Sequence, residues 1–302
     1  MADRQQVKVA LWCIPRSRST VLTKCLSAIE DMDIYFELYT VAALVGGCFE
    51  TATGRKLPLK LEGNEADYEE AKDVWFKATN MKIYPRRVSC HDIQEEVETT
   101  KSRFVLMKEM CQFKDYAQDY LPRDFRYVFV TREPTRAYAS FRKVLLTTGL
   151  FVPADKKLGL DIIRDDPSNT RPMSWYESQH QLWRYVKDNL DPNPIIIDAY
   201  DLASNPQKIL KGLCEAIGFP YNDSLLQWAS SIEDFPQNFN TAGPNLFEGV
   251  GSGFYERAFK CTQFEAPTEL VPIPRDQLDD DVLRCVDYSM PFYRELYTNR
   301  LQ

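Results

Sequence analysis

The sequence predicts an α/β fold, a three-layer sandwich around a central, mainly parallel sheet. Three observations predict it. Short runs of consecutive apolar residues recur at 7–14, 104–108, 127–132 and 195–199, and unbroken apolarity marks strands covered on both faces. Helical segments lie between these runs, and strands alternating with helices build parallel sheets. At 302 residues and 44% hydrophobic content, the chain is long enough to bury the core such a sheet needs.

In chain order, the run from Val7 to Ile14 is the first strand and an amphipathic helix follows over 20–29. Residues 50–100 fit the alternation poorly, mixing an acidic stretch from Glu62 to Asp73 with prolines and paired arginines. After the strands at 104–108 and 127–132, a helix over 134–146 opens with proline at a first-turn position. Residues 147–172 read as loop, punctuated by Gly149, Pro153, Gly159, Pro167 and Pro172. A helix over 174–189 carries Trp175, Leu182, Trp183 and Val186. The strand at 195–199 leads to a helix over 206–217 that stops at Gly218, a residue suited to a left-handed cap. These elements make one domain over 1–302. Residues 50–100 and 147–172 are inserted lid or substrate regions, and 236–302 is a C-terminal segment that wraps the domain.

Net charge is −7, which argues against general nucleic-acid binding but leaves room for a local basic pocket. No apolar run reaches the roughly 18 residues of a membrane span. The short apolar N-terminal stretch reads as a strand rather than a signal peptide. Eight cysteines without a CxxC pair read as reduced thiols in a cytoplasmic protein. Two histidines, His91 and His180, lie far apart, so no metal site is expected.

Residues 15–20 read PRSRST. A strand, a tight turn and a helix leave unpaired backbone N–H groups at a positive helix end. Ser17, Ser19 and Thr20 add hydroxyls, and Arg16 adds a guanidinium that binds oxyanions bidentately. That is a phosphate cradle. The plainer reading is that Ser19 or Thr20 caps a helix and both arginines are solvated. A Walker A loop is absent, which disfavours an ATP or GTP hydrolase. Residues 132–140 read REPTRAYAS. Arg132 ends a strand and Ser140 lies about two helical turns on, so both can face an anion outside the carboxyl edge of the sheet. For Arg132 taken alone, the plainer reading is a surface salt bridge. Two anion sites on one edge suit a ligand with two phosphate-type groups.

These segments resemble the 5′-phosphosulfate and 3′-phosphate motifs of the sulfotransferase superfamily, whose members take a sulfuryl group from 3′-phosphoadenosine 5′-phosphosulfate (PAPS). The stretch DAYDLASNPQKILKGLCEAIGFPY over 198–221 is similar to the family's segment running from an acidic strand end to a closing IGF. VGSGF over 250–254 resembles a C-terminal segment that closes over the nucleotide in part of the family. The four matches stand in the family's order and span 7–254. The resemblance implies PAPS as donor, PAP as product and no metal. It implies nucleotide contacts from Arg16, Ser17, Arg18, Ser19, Thr20, Arg132, Ser140, Tyr200, Ser252 and Gly253. Arg18 departs from the glycine common there, which implies a looser loop or a second cation.

A further departure concerns the base. Where cytosolic small-molecule sulfotransferases show Lys-x-His, this chain reads Lys108, Glu109, Met110. Glu37, in an aromatic setting, matches the position where some carboxylate-using members carry their catalytic Glu. Its plainer reading is an acid at a helix N-terminus. Glu109 is the second candidate, with His91 and His180 behind it. Arg16 takes the bridging oxygen and sulfonate, with Lys108 as a weaker candidate for the same charge or for the substrate side. Lys24, Arg136, Arg142 and Lys143 are expected on solvated faces. The acceptor is a small hydroxylated metabolite, with a sterol, terpenoid, lipid alcohol or phenol suiting the aromatic content of 34–49, 147–152 and 235–259. The alternatives are a silent PAP- or PAPS-binding scaffold and, less favoured, a kinase-like phosphoryl transferase.

Overall fold

A computed structural model describes residues 5–148, 152, 157, 159–166, 169–228, 238–244, 246–247, 252–268 and 271–302. The strands are β1 (Val7–Cys13), β2 (Met32–Phe36), β3 (Phe104–Met110), β4 (Arg126–Thr131), β5 (Ile195–Asp198) and β6 (Phe239–Thr241). They form one sheet in the order β5-β4-β1-β3-β2-β6, and every pair is parallel. Consecutive residues of β1, β3 and β4 are buried, as strands covered on both faces require. The helices are α1 (Ser19–Leu26), α2 (Leu38–Thr53), α3 (Glu65–Thr79), α4 (Cys90–Thr99), α5 (Lys114–Ala117), α6 (Pro134–Thr148), α7 (Trp175–Asn189), α8 (Ala199–Ser204), α9 (Pro206–Ile217), α10 (Ser252–Lys260) and α11 (Asp280–Thr298).

Two strands escape the sequence pattern for physical reasons. The apolar run of β2 is interrupted by Asp33, whose carboxylate accepts from the Thr100 and Ser102 hydroxyls at 2.9 and 2.6 Å. β6 is three half-buried residues paired with β2, too short to carry a period.

Residues 50–100 are largely helical. Their acidic stretch forms the first turns of α3, where Glu65 and Asp67 complement the helix dipole. Tyr68, Ala71 and Trp75 are the buried face of that helix, which packs on α2. Backbone then meets backbone closely: the Tyr84 N–H donates to the Ala242 carbonyl at 2.7 Å, and a Cβ on Gly243 would lie 1.8 Å from the Lys82 carbonyl oxygen. The C-terminal tail, expected only to wrap, contains the 19-residue helix α11. It packs on α6 and α7, with Tyr138 and Ser289 hydroxyls 2.7 Å apart in a buried contact. Parts of 147–172 and 236–251 lie outside the described residues.

Candidate active site

β1, β2, β3 and β4 all end on one edge of the sheet, which brings the segments after Cys13, Phe36, Met110 and Thr131 together. This is the carboxyl edge, where open α/β sheets take their ligands. Between β1 and α1 the backbone of Arg16 and Arg18 is left-handed, with φ of 63° and 64°. Each such non-glycine residue costs about 1–2 kcal/mol. The expectation of a looser loop is therefore corrected: Arg18 adopts the conformation a glycine would take. Ser17 is fully buried and its hydroxyl donates to the Ile14 carbonyl at 2.8 Å, bracing the turn. Ser19 begins α1, and Thr20 lines the cavity beside it.

Arg16, Arg132 and Ser140 come together. Arg16 Nε donates to Ser140 Oγ at 3.2 Å and its Nη1 to the Phe254 carbonyl of α10 at 2.9 Å. Arg132 Nη1 donates to the Arg16 carbonyl at 2.7 Å, and Arg18 Nη1 donates to the Glu265 carbonyl at 2.7 Å. Burial, then the Arg257 charge, pulls Arg16 down to about 10. Burial, then Arg18 and Arg16, does the same to Arg132. Among the described residues no carboxylate forms an ion pair with either guanidinium. Crowded, half-buried cations of this kind are stabilised by a bound anion.

Glu37 follows β2 at φ 56°, just before α2, and its backbone N–H donates to the Lys108 carbonyl at 2.8 Å. Its carboxylate does not cap that helix. It pairs instead with the Lys108 ammonium through Oε1 and accepts from the Tyr255 hydroxyl of α10 through Oε2 at 2.5 Å. Lys108 and Glu37 are 1% and 2% exposed, so this ion pair is internal. Burial opposes the Lys108 charge, while Cys13, Glu37 and Glu109 favour it, and the net direction is up. Cys13 is itself pushed up by burial and so neutral near pH 7, which leaves the Glu37 carboxylate as the partner that holds the ammonium.

Adjacent residues on a strand face opposite ways, and Glu109 turns away from Lys108. It does not line the cavity. His91 and His180 do not line it either: His91, on α4, meets the Tyr120 ring edge-on, and His180 Nε2 lies 2.8 Å from Glu295 on α11. His91, Asp92 and Glu95 could together approach a metal ion, yet Arg86 already lies 3.4 and 3.7 Å from the two acids.

Two expected surface cations are structural. Lys24 is buried and donates to the Phe259, Ala258 and Cys261 carbonyls at 3.0, 3.3 and 3.4 Å, neutralising the C-terminal end of α10. Arg142 ties α6 to α11 through Asp279 and Asp281 at 3.0 and 3.2 Å. Sequence reasoning missed Lys24 and Tyr255. The signal for Lys24 was its place between Leu22 and Leu26 on an amphipathic helix; Tyr255 gave none.

One cavity of about 870 Å³ is lined by Arg16, Arg18, Arg132 and Ser140, by Glu37, Lys108 and Tyr255, and by an apolar wall that includes Val41, Leu44, Trp75, Met81 and Phe264. Tyr200 lines a separate cavity of about 80 Å³ with Arg18, Arg132, Glu133, Arg136 and Arg257. Gly253 sits half-buried in α10, and the Ser252 side chain lies outside the described residues. No helix of the described residues is long and apolar enough to cross a membrane.

Residues 185–300 match the family model described as a sulfotransferase domain. Similar solved structures include a sulfotransferase domain from the curacin biosynthetic pathway, 14% identical over 94% of this chain and 97% of that one, with a TM-score of 0.43. The sulfotransferase domain of the Synechococcus PCC 7002 olefin synthase is 13% identical over 94% and 95%, TM-score 0.40. Mouse sulfotransferase SULT7A1, solved with PAP, is 13% identical over 98% and 85%, TM-score 0.42. No curated protein sequence matches the chain. From the last turn of α7 through α11, the chain is thus similar to a sulfotransferase domain.

Proposed function

We propose that the protein moves the sulfuryl group of PAPS to the hydroxyl of a small, largely apolar acceptor. The observation that carries this reading is the shared cavity, in which a cluster of arginines, a buried Lys–Glu pair and an apolar wall line one space. Its size falls within the roughly 300–1,000 Å³ typical of small-ligand sites. PAPS supplies the sulfuryl group and a phosphorylated leaving group. Arg16 and Arg132, with Ser140 and the N-terminus of α1, bind its anionic groups, and Arg16 stabilises the charge that develops on the leaving phosphate. Glu37 takes the acceptor proton as the new S–O bond forms; such a base contributes about 10²–10⁴-fold. Lys108 holds one oxygen of that carboxylate. A sterol, terpenoid, lipid alcohol or phenol fits the apolar wall.

One observation favours a second reading, a protein that binds PAP or PAPS without turnover: both oxygens of Glu37 are already engaged. Sulfur-labelled PAPS, ATP and a panel of alcohols and phenols separate the two. Labelled product supports transfer, PAPS binding without product supports the silent reading, and consumption of ATP instead sinks both. Glu37→Gln should lower turnover by about 10²-fold or more with donor binding retained. Arg16→Ala should damage both.

A further inference from the structure

We propose that Tyr255 is a positioning residue for the base, clamping the Glu37 carboxylate on the side opposite Lys108. This inference rests on Glu37 acting as the base. The Tyr255 ring is fixed among Phe36, Phe247 and Phe259, with centroids 5.6, 5.5 and 6.2 Å away. That packing leaves its hydroxyl as the polar group to satisfy, and a buried Tyr hydroxyl finds a partner. The partner is Glu37 Oε2, while Lys108 holds Oε1. A carboxylate held at both oxygens by donors on separate elements, β3 and α10, has little rotational freedom left, and orientation to within about 1 Å is worth up to about 10²-fold in rate.

Tyr255 also reaches the donor end of the site through its neighbour. Phe254 offers its carbonyl to Arg16, and Lys24 pins the far end of the same helix. The seating of α10 therefore sets the Arg16 contact and the Glu37 clamp through consecutive residues. The other titratable groups around this carboxylate are Lys108 and Glu109 from β3, Cys13 from β1 and, near the phenol, Arg16. Lys108 and Tyr255 are the side chains that hydrogen-bond the Glu37 carboxylate.

Tyr255→Phe keeps the ring and removes only the hydroxyl. The rate of label transfer from PAPS to naphthol or dodecanol is measured, with release of free sulfate as the readout where neither alcohol accepts, and PAP affinity is followed by calorimetry. We expect kcat to fall about tenfold or more, as loss of a hydrogen bond to a charged group implies, with KM for PAPS and PAP affinity within about twofold. In a Glu37→Gln background the same change should cost less than about twofold, because the group it orients is gone. An unchanged kcat overturns the proposal. So does a loss of PAP affinity matching the loss of rate, or full additivity with Glu37→Gln; either would make Tyr255 a packing residue of α10. Undiminished turnover by Glu37→Gln alone is a separate result that removes Glu37 as the base and this inference with it.

Discussion

Glu109 accepts from Thr40 twice, from its backbone N–H at 2.9 Å and from its hydroxyl at 2.8 Å, and once more from the Tyr39 N–H at 2.9 Å. The end of β3 is thereby joined to the first turn of α2 by a buried carboxylate, which accounts for its absence from the cavity wall.

Burial pushes Glu109 up to about 7 from an ordinary 4.5, against the pull of those three donors. The folded protein thus holds a proton that the unfolded chain gives up sooner. The stability this provides is complete below about pH 4.5 and is lost as pH rises through about 7, a swing on the order of 3 kcal/mol. Denaturant melts across that window should show Glu109→Gln with a flatter pH dependence than the parent. Parallel curves would contradict this assignment.

Lys24 supplies charge to three carbonyls at the end of α10. Lys24→Met should destabilise the protein by about 1–3 kcal/mol, since buried acceptors are left without a donor. Because α10 carries Phe254 and Arg257 to the cavity, PAP affinity should fall as well. Calorimetry that finds PAP affinity unchanged would show that α10 stays seated without this lysine.

Arg18 combines a left-handed backbone with a cationic side chain. Arg18→Ala keeps the backbone cost and Arg18→Gly removes it, so the glycine variant should be the more stable of the two by about 1 kcal/mol. Both should bind PAP more weakly than the parent to a similar degree. Thermal melts and PAP titrations on the pair separate loop geometry from charge.

Gly243→Ala would drive a Cβ into the Lys82 carbonyl. Backbone must then move, and a loss of about 3 kcal/mol or more in melts is expected. A neutral result would mean that the segment after β6 does not seat against residues 82–83.

Four of the six strands were legible because each is a local run of buried residues. β2 and β6 were not, one broken by Asp33 and the other only three residues long. That the 15–20 turn and the Arg132–Ser140 segment lie on one edge was legible because each follows a readable strand; the direct contact of Arg16 with Ser140, joining what the sequence reads as two separate anion sites, was not. The helices in 50–100 and α11 were harder to see, since charged residues, and in α11 also Pro291, blur their apolar stripes.

The sequence by itself determined the alternation of strands and helices, and with it the edge of the sheet where strand ends meet. It also determined which segments bring arginines and hydroxyls to that edge, because strand runs and turn chemistry act between near neighbours. Tertiary structure decided the partners. Lys108 meets Glu37 across 71 residues, Tyr255 meets Glu37 across 218, and Lys24 reaches Phe259 across 235. No local propensity encodes such separations. They arise from the order of strands in the sheet and from the seating of α10, and the same packing turned two adjacent residues, Lys108 and Glu109, to opposite tasks.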